Sequence, residues 1–442
     1  MTYWSIIHQI LFKDRCGIIT GVKTNKSKTR RVFLDYASIT PLDKEVENEM
    51  RKVQENFWGN PSSLHQEGEG AKNILEDARM RVARVLHCRA NEVFFTSGGT
   101  ESLNVAILGI SQGVTLGKNA SKGRPWETPH IITSTIEHPA VLEPIKFLLK
   151  EKRIEVSFVS PDEEGIVNPE SIKKELKKNT VLVAIQHSNN EIGTIQPIRK
   201  IKNVIENCKL KIENSSKPSL LVDASQSVCY KDVSIERLGA DILVLDGIKM
   251  YGPRGAGILV VKHGVDISPV IFGGGQEGGL RSGTENVVAA TGLAKALEIA
   301  VSKREKESKR LKTLRDYAIN KILKEIPNSS LNGSLENRLP NNINICFSSQ
   351  GLALGNAPKA RPWDSEFAVI KLDTLGFAVS AASACHTLSL ENNSYVIDAL
   401  GPSNSSGQVN NCGSSSLRFT LGRTTTKSDL DKLISALKKI IK

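Results

Sequence analysis

The sequence predicts an α/β fold: a doubly wound, mainly parallel sheet in a large domain, followed by a smaller C-terminal α/β domain. Short apolar runs at 220–222 and 242–245 are typical of strands that are buried on both faces. Each run ends in polar residues, at 223–226 and 246–249. Because ligands bind at the carboxyl ends of strands in open α/β sheets, we expect both polar clusters to face one crevice.

The same alternation of strand, polar end and helix recurs along the chain, which favours a doubly wound sheet. Apolar spacing also predicts one long helix from about 287 to 326, and a final helix that starts at a capping box of Thr426 and Asp429. The other predicted elements are strands at 92–96, 131–134, 181–185, 343–347 and about 377–380, helices at 78–86 and 103–108, and inserted loops at 113–128 and 351–364.

These elements divide the chain into three parts. A basic N-terminal extension covers residues 1–30, a large ligand-binding domain covers 31–286, and a small domain covers 287–442. Residues 6–12 are too short for the core of a signal peptide, and the basic residues follow them. We therefore expect a cytoplasmic protein, although organellar targeting by residues 1–30 stays open.

Composition is that of a soluble globular protein, with 24% charged and 39% hydrophobic residues among 442. No stretch approaches the roughly 20 apolar residues of a membrane span. The net charge of +12 comes from lysines spread along helical stretches, so a solvated basic surface is favoured over nucleic-acid binding.

The seven cysteines are scattered, and no two form a C-x-x-C pair. Their odd number and wide spacing predict free thiols in a reducing compartment, without a disulfide framework or a zinc site. They are Cys16, Cys88, Cys208, Cys229, Cys346, Cys385 and Cys412.

Asp223 and Lys249 follow the two central strands, and this pairing suits a pyridoxal phosphate enzyme. In such enzymes a lysine forms a Schiff base, and a carboxylate keeps the pyridinium nitrogen protonated. The run Tyr-Gly-Pro-Arg-Gly after Lys249 predicts a rigid turn that fixes the direction of the lysine.

Other strand ends carry further candidates. The glycine turn at 97–101 precedes a helix start, where unpaired N–H groups can hold a phosphate. His138 and Asn190 follow the predicted strands at 131–134 and 181–185. Taken alone, Gly98 and Gly99 could simply be turn residues, and His138 could be a packed structural histidine.

From Val32 to the C-terminus, the sequence resembles the cysteine desulfurases, which belong to the class V aminotransferase group. The matching stretches, in order, are LDYASITP, NPSSLH, FTSGGTESLN, TIEHPAVLE, NNEIGTIQPI, VDASQS, KMYGPRG, GGGQEGGLRSGTEN, SACHT and SLRFTLGRTTT. This resemblance implies an aspartate-aminotransferase-like fold and pyridoxal 5'-phosphate as the cofactor.

The resemblance also implies a role for each candidate residue. Lys249 corresponds to the Schiff-base lysine and Asp223 to the partner of the pyridinium nitrogen. The other implied cofactor contacts are Gln226 to the phenolic oxygen, His138 stacked on the ring as a proton carrier, Gly99 and Thr100 to the phosphate, Asn190 beside the cofactor, and Thr284 to the phosphate in the partner subunit of a homodimer.

The implied reaction converts L-cysteine to L-alanine. Asn190 and Arg418 would bind the substrate carboxylate, Arg418 through its two-pronged guanidinium. Cys385 would take the sulfur as a persulfide and pass it to an iron–sulfur scaffold or sulfur-carrier protein, for iron–sulfur cluster assembly or tRNA thiolation. The small polar residues around Cys385 are typical of a mobile loop, whereas Cys412 is interpreted as incidental.

Two stretches depart from the family pattern. Asp246 and Ile248 stand where most members carry a serine and a histidine that bind the cofactor phosphate. A carboxylate near a phosphate repels it unless protonated, so either Asp246 turns away or the phosphate depends more on Thr100, Thr284 and backbone amides. Weaker cofactor binding is expected. A glycine, Gly278, also replaces the usual arginine after Glu277.

Three other interpretations stay open at this point. The chain could be a selenocysteine lyase or another class V enzyme, although Cys385 argues against an aminotransferase. It could also be a degenerate, non-catalytic scaffold for sulfur-carrier proteins, in view of Asp246 and Ile248. A basic nucleic-acid binder is the third, which salt-dependent tRNA binding would support.

Overall fold

The computed structural model describes residues 30–116, 128–208, 217–347, 365–381, 394–401 and 412–441. The strands are β1 (Val32–Phe33), β2 (Val93–Thr96), β3 (His130–Ser134), β4 (Glu155–Val159), β5 (Thr180–Gln186), β6 (Ser219–Asp223), β7 (Ile242–Asp246), β8 (Gly257–Val261), β9 (Ser329–Leu331), β10 (Asn342–Phe347), β11 (Phe377–Ala378), β12 (Ser380–Ala381) and β13 (Ser416–Thr420).

Helices flank these strands. They are α1 (Lys44–Asn56), α2 (Gln66–Leu86), α3 (Gly99–Leu116), α4 (Pro139–Lys150), α5 (Pro169–Glu175), α6 (Ile198–Glu206), α7 (Ile235–Leu238), α8 (Val287–Glu325), α9 (Ser365–Thr374), α10 (Tyr395–Asp398) and α11 (Lys427–Ile440). The long helix α8 and the capping box of α11 confirm the two helices predicted from periodicity.

A seven-stranded sheet in the order β2-β8-β7-β6-β5-β3-β4 forms the centre of the molecule. Only β8 runs antiparallel to its neighbours within this sheet, which confirms the predicted, mainly parallel arrangement. Successive residues of a strand point to opposite faces, so Val222 packs in the core below α1, α2 and α8, and Leu221 packs below α3 and α4. Helices on both faces explain the continuous apolar runs.

A second, antiparallel sheet has the order β12-β13-β10-β9 and packs against the C-terminal half of α8 and against α11. Val32 and Leu34 join this second core, and β1 pairs with β11. The predicted run at 377–380 is divided between two sheets, because β11 pairs with β1 whereas β12 pairs with β13. The domain boundaries given above stay a prediction.

Cys346 and Cys412 form a disulfide with their Cα atoms 5.4 Å apart. The prediction of free thiols is wrong for this pair, and Cys412 is not incidental. The two cysteines are 66 residues apart, and the pairing of β10 with β13, which sets Cys346 opposite Ser416, brings them together. Among the described residues, Cys88, Cys208 and Cys229 are free thiols.

Within the described ranges, no helix is long and apolar enough to cross a membrane. The same part of the chain contains no group of three or more histidine, cysteine or acidic side chains placed to hold a metal ion. The basic extension up to residue 29, the loop at 351–364 and the segment with Cys385 lie outside the described residues, as does most of the insertion at 113–128.

Candidate active site

Neighbouring parallel strands of the central sheet end in polar residues at the same edge. Gln186 of β5 lies opposite Asp223 of β6, and Asp223 lies opposite Val244, two residues before Asp246 at the end of β7. The clusters predicted to face one crevice do lie at one edge of the sheet.

Lys249 ends a short 3-10 turn, Gly247–Lys249, that follows β7 directly. Its Nζ donates hydrogen bonds to the carbonyl oxygens of Ala37 at 2.8 Å and Ser38 at 2.5 Å. Gln226, which follows β6, donates its Nε2 to the same Ala37 oxygen at 2.9 Å. Two candidates from different strands therefore converge on one backbone atom.

The turn after Lys249 is closed by local hydrogen bonds. The Gly252 N–H donates to the Gly247 carbonyl at 3.0 Å, and the Tyr251 N–H donates to Thr40 Oγ1 at 2.7 Å. Tyr251 has a φ of +61°, a left-handed conformation that is uncommon for a bulky residue. This closed backbone restricts the direction of Lys249, as the Tyr-Gly-Pro-Arg-Gly run predicts.

Asp223 is half-buried, and its Oδ1 accepts the N–H of Ser225 at 3.0 Å. A second carboxyl, Glu137, is fully buried nearby and accepts the Ser134 hydroxyl at 2.6 Å and the Gln186 N–H at 2.8 Å. Burial raises the pKa of Glu137 to about 8, and the negative charge of Asp223 adds to the rise. Burial therefore favours the protonated, neutral form of Glu137.

His138 caps the start of α4, where its Nδ1 accepts the N–H of Ala140 at 3.1 Å. In the neutral ring the proton must then be on Nε2, and the ring orientation is fixed. A cleft of about 520 Å³ lies beside this residue, and its lining includes Thr100 and side chains of α3 and α4. Because Lys249 and Asp223 do not line the cleft, it lies next to the sheet-edge cluster and not over it.

Arg418, in the middle of β13, is almost fully buried. Its Nη2 pairs with Asp35 at 2.9 Å, and its Nη1 donates to the Asn190 carbonyl at 2.9 Å. The Nε of Arg418 is buried without a hydrogen-bond partner among the described residues. The two residues predicted to bind the substrate carboxylate are thus in contact, and one buried donor is left to bind a ligand.

One flank of the segment that contains Cys385 is paired with this arginine, and the other flank contacts Glu191. Ser380 of β12 pairs with Arg418, and β12 ends at Ala381. On the other flank, the Ser394 hydroxyl donates to Glu191 at 2.6 Å. Burial raises the pKa of Glu191 to about 7, although the Ser394 hydroxyl and the Arg418 charge act to lower it.

The glycine turn before α3 holds a carboxylate. Asp246 Oδ2 accepts the N–H of Gly99 at 3.0 Å, and Oδ1 accepts the N–H of Ile248 at 3.1 Å. Of the two arrangements considered from the sequence, Asp246 turning away is therefore wrong for this structure. Thr100, one residue further along α3, is exposed.

Glu277 forms a buried ion pair with Arg79, whose Nη1 and Nη2 lie 2.7 and 2.9 Å from its two carboxylate oxygens. The Phe95 N–H also donates to it at 2.9 Å. The negative charge of Glu277 is therefore compensated inside the protein. Thr284, the candidate for a contact with a partner subunit, is exposed.

Three residues at the candidate site were missed by the sequence reasoning. Asp35 pairs with Arg418, Glu191 interacts electrostatically with Arg418, and the Ser225 N–H donates to Asp223 at 3.0 Å. Asp35, Glu191 and Ser225 all stand inside the quoted motifs, beside or close to predicted residues. Their position within those motifs was the only signal available.

Comparison with known proteins identifies the family. The aminotransferase class-V model matches residues 32–433. A cysteine desulfurase IscS from Dictyoglomus turgidum is 40% identical over 412 residues, which are 93% of this chain and 95% of the relative.

Solved structures agree with this match. A NifS-like protein is 31% identical with a TM-score of 0.79, over 93% of this chain and 99% of its own. A structure described as SspA in complex with cysteine is 30% identical with a TM-score of 0.70, over 88% and 98%. The chain therefore belongs to the class V aminotransferases and, within them, to the cysteine desulfurases, whose members generally depend on pyridoxal phosphate.

Proposed function

We propose that this cysteine desulfurase binds pyridoxal 5'-phosphate at Lys249 and transfers the sulfur of L-cysteine to Cys385, which passes it on for iron–sulfur cluster assembly or tRNA thiolation. When bound, the cofactor supplies an electron sink for the carbon atoms of the substrate. The residues present fit its ring: an amine, a carboxylate and an amide donor come together at one sheet edge from Lys249, Asp223 and Gln226.

Each of these side chains has a separate task. Lys249 provides the amine that holds the cofactor and can move a proton at the substrate α-carbon. Asp223 favours a proton on the ring nitrogen, and Gln226 donates to the phenolic oxygen. His138, with its proton on Nε2 in the neutral form, carries protons beside the ring. Gly99 and Thr100 hold the phosphate together with the partner subunit's Thr284.

Arg418 and Asn190 are proposed to bind the carboxylate of L-cysteine. The unpartnered Nε of Arg418 supports this role, because a buried charged donor is costly unless a ligand uses it. Cysteine as the substrate is also supported by the similar SspA structure, which is described as a complex with cysteine.

The observation that carries the sulfur-transfer step is the position of Ala381, where the described chain ends before the Cys385 segment. Cys385 is four residues after Ala381, and four extended residues reach at most about 14 Å. Ala381 is one residue beyond the partner of Arg418, so Cys385 is within reach of a substrate held by that arginine.

The step itself balances with no external oxidant. The Cys385 thiolate attacks the sulfur of L-cysteine, so that an S–S bond forms and the substrate C–S bond breaks. The electron pair of the broken bond stays with the substrate carbon, which takes up a proton. L-alanine leaves, and the transferred sulfur remains on Cys385 as a persulfide for an iron–sulfur scaffold or a sulfur-carrier protein.

A homodimer is also proposed. Thr284 is exposed in the single chain, as a residue that reaches another subunit should be. Large apolar side chains are exposed as well, among them Trp58 (72%), Leu64 (94%) and Phe272 (78%), and exposed apolar surface often marks a protein interface. A cytoplasmic location is proposed on the three free thiols of the described residues, Cys88, Cys208 and Cys229, and the Cys346–Cys412 disulfide is the one observation there that argues against it.

The test is to assay L-alanine from L-cysteine with wild type, Cys385→Ala and Cys208→Ala. We expect alanine formation to fall roughly 10²-fold or more in Cys385→Ala, because the nucleophile is lost, and to be unchanged in Cys208→Ala. Equal turnover by wild type and Cys385→Ala would contradict the proposed role of Cys385 and would favour a selenocysteine lyase or another class V activity.

A further inference from the structure

The carboxylate of Asp246 lies in the turn where the phosphate of the proposed cofactor would be held. Its Oδ2 takes the N–H of Gly99, the first residue of α3, and a Cβ on Gly99 would lie only 3.1 Å from that oxygen. The first N–H groups of a helix have no partner within the helix and are well suited to bind an anion. In this chain a side-chain anion already uses one of them.

The charged groups that face Asp246 come from two elements. Lys249, three residues further along its own turn, attracts the carboxylate, and Asp223 at the end of β6 repels it. The start of α3 contributes backbone amides, since its nearest charged side chain, Glu101, is paired with Arg281 at 2.7 Å. Burial has the largest effect and raises the pKa of Asp246 above its ordinary value.

We propose that the protonation of Asp246 sets the affinity of this site for the cofactor phosphate. When ionised, the carboxylate keeps the Gly99 amide and repels the phosphate dianion. When neutral, it can release the amide and donate its own proton to a phosphate oxygen. This inference rests on the proposed function, because it assumes that pyridoxal phosphate binds at Lys249.

The consequence is an opposing effect of Asp246 on phosphate binding that grows as pH rises. The phosphate itself loses its second proton near pH 6 or so, which brings it to full charge at neutral pH. Repulsion is therefore greatest above the pKa of Asp246. Pyridoxal lacks the phosphate but joins Lys249 in the same way, so any effect of Asp246 on the lysine is common to both aldehydes.

The experiment measures the dissociation constants of pyridoxal and of pyridoxal 5'-phosphate for the full-length apo-protein by equilibrium dialysis. The dissociation constant of pyridoxal divided by that of pyridoxal 5'-phosphate gives the phosphate contribution to binding. This ratio cancels the effects of pH on Lys249. It is measured between about pH 5 and about pH 9, and because the phosphate itself titrates at about pH 6, the Asp246 variants supply the baseline for that titration. The variants are Asp246→Asn and Asp246→Ser, with Asp266→Asn as a control that removes the same charge beyond the opposite end of β8.

We expect the ratio in both Asp246 variants to be about tenfold or more higher than in wild type near pH 8 or so, and this difference to shrink as the pH falls and Asp246 takes up a proton. Asp266→Asn should behave as wild type. Equal ratios in wild type and both Asp246 variants would overturn the inference while leaving the cofactor site intact. If wild type binds neither aldehyde, the proposed function fails and the inference fails with it.

Discussion

The two ends of the candidate site differ in their contacts. The ring end consists of Lys249, Asp223 and Gln226, and the phosphate end consists of Gly99, Thr100 and Asp246. At the ring end, Lys249 and Gln226 converge on the Ala37 carbonyl, beside Asp223. At the phosphate end, the Asp246 carboxylate accepts the Gly99 N–H. Both ends lie at the same edge of the central sheet, but different residues form them. The residues that bind the ring can therefore change without those that bind the phosphate.

The Asp246 carboxylate affects the stability of the protein without cofactor as well as cofactor binding. A carboxylate at the start of a helix satisfies an unpaired amide and interacts favourably with the helix dipole, and such caps are worth about 1 kcal/mol. Asp246 therefore stabilises the start of α3 in the protein without cofactor. The hydrogen bond between Gly99 and Asp246, which is proposed to weaken phosphate binding, therefore also stabilises this turn in the protein without cofactor.

The largest expected effect is at the ring end. Lys249→Ala should abolish the near-visible absorbance of the bound cofactor and lower alanine formation roughly 10²- to 10⁴-fold, because covalent attachment and a proton carrier are both lost. Thr100→Ala, at the phosphate end, should weaken cofactor binding only about tenfold. Absorbance titration with pyridoxal phosphate measures cofactor binding by the two variants, and the alanine assay measures their activity. Equal losses of absorbance and of activity in the two variants would contradict the distinction between the ring end and the phosphate end.

Next in size is the substrate side of the ring end. Arg418→Lys should raise the KM for L-cysteine on the order of 10- to 100-fold, because an ammonium group cannot reproduce the planar guanidinium that contacts Asn190 and Asp35. Arg423→Lys is the control, since Arg423 is a partly buried arginine that pairs with Asp43. Steady-state kinetics give the result, and an unchanged KM in Arg418→Lys would exclude the proposed contact.

The last prediction concerns protein stability and its pH dependence, through the buried Glu191 beside the site. An unfolded glutamate ionises from about pH 4.5, whereas Glu191 in the folded protein keeps its proton to about 7. The folded state binds more protons in that window, so wild type should lose stability relative to Glu191→Gln as pH rises from about 4.5 to about 7, by on the order of 3 kcal/mol.

Thermal unfolding of the two proteins across this range checks the sign. The glutamine side chain introduced by Glu191→Gln can still accept the Ser394 hydroxyl, so the comparison isolates the charge. Glu336→Gln removes an exposed carboxylate and should show no such trend. A stability difference between wild type and Glu191→Gln that is constant with pH would mean that folding does not raise the pKa of Glu191.

The ring end could be predicted from the sequence because its chemistry depends on strand ends. Apolar runs buried on both faces identified β6 and β7, and parallel pairing placed Asp223 and Lys249 at one edge. The glycine turn before α3 was predicted on the same basis. The divided strand at 377–380 was missed because a short apolar run does not reveal which neighbour pairs with each half.

Contacts between distant residues could not be predicted in this way. The direction of the Asp246 side chain depends on the position of Gly99, which is 147 residues away in sequence. The ion pair of Asp35 with Arg418 joins positions 383 residues apart, and the Cys346–Cys412 disulfide depends on the register of β10 and β13. Motif spacing carries no information about such contacts.

The central claim is that L-cysteine sulfur is transferred to Cys385. The most direct measurement is mass spectrometry of peptides from the protein loaded with pyridoxal phosphate, after brief exposure to L-cysteine and alkylation of its thiols. We expect one added sulfur atom on the peptide that contains Cys385, and none on the peptides with Cys88, Cys208 or Cys229. Alanine formation with no added sulfur on Cys385, or with sulfur on another cysteine, would contradict the account.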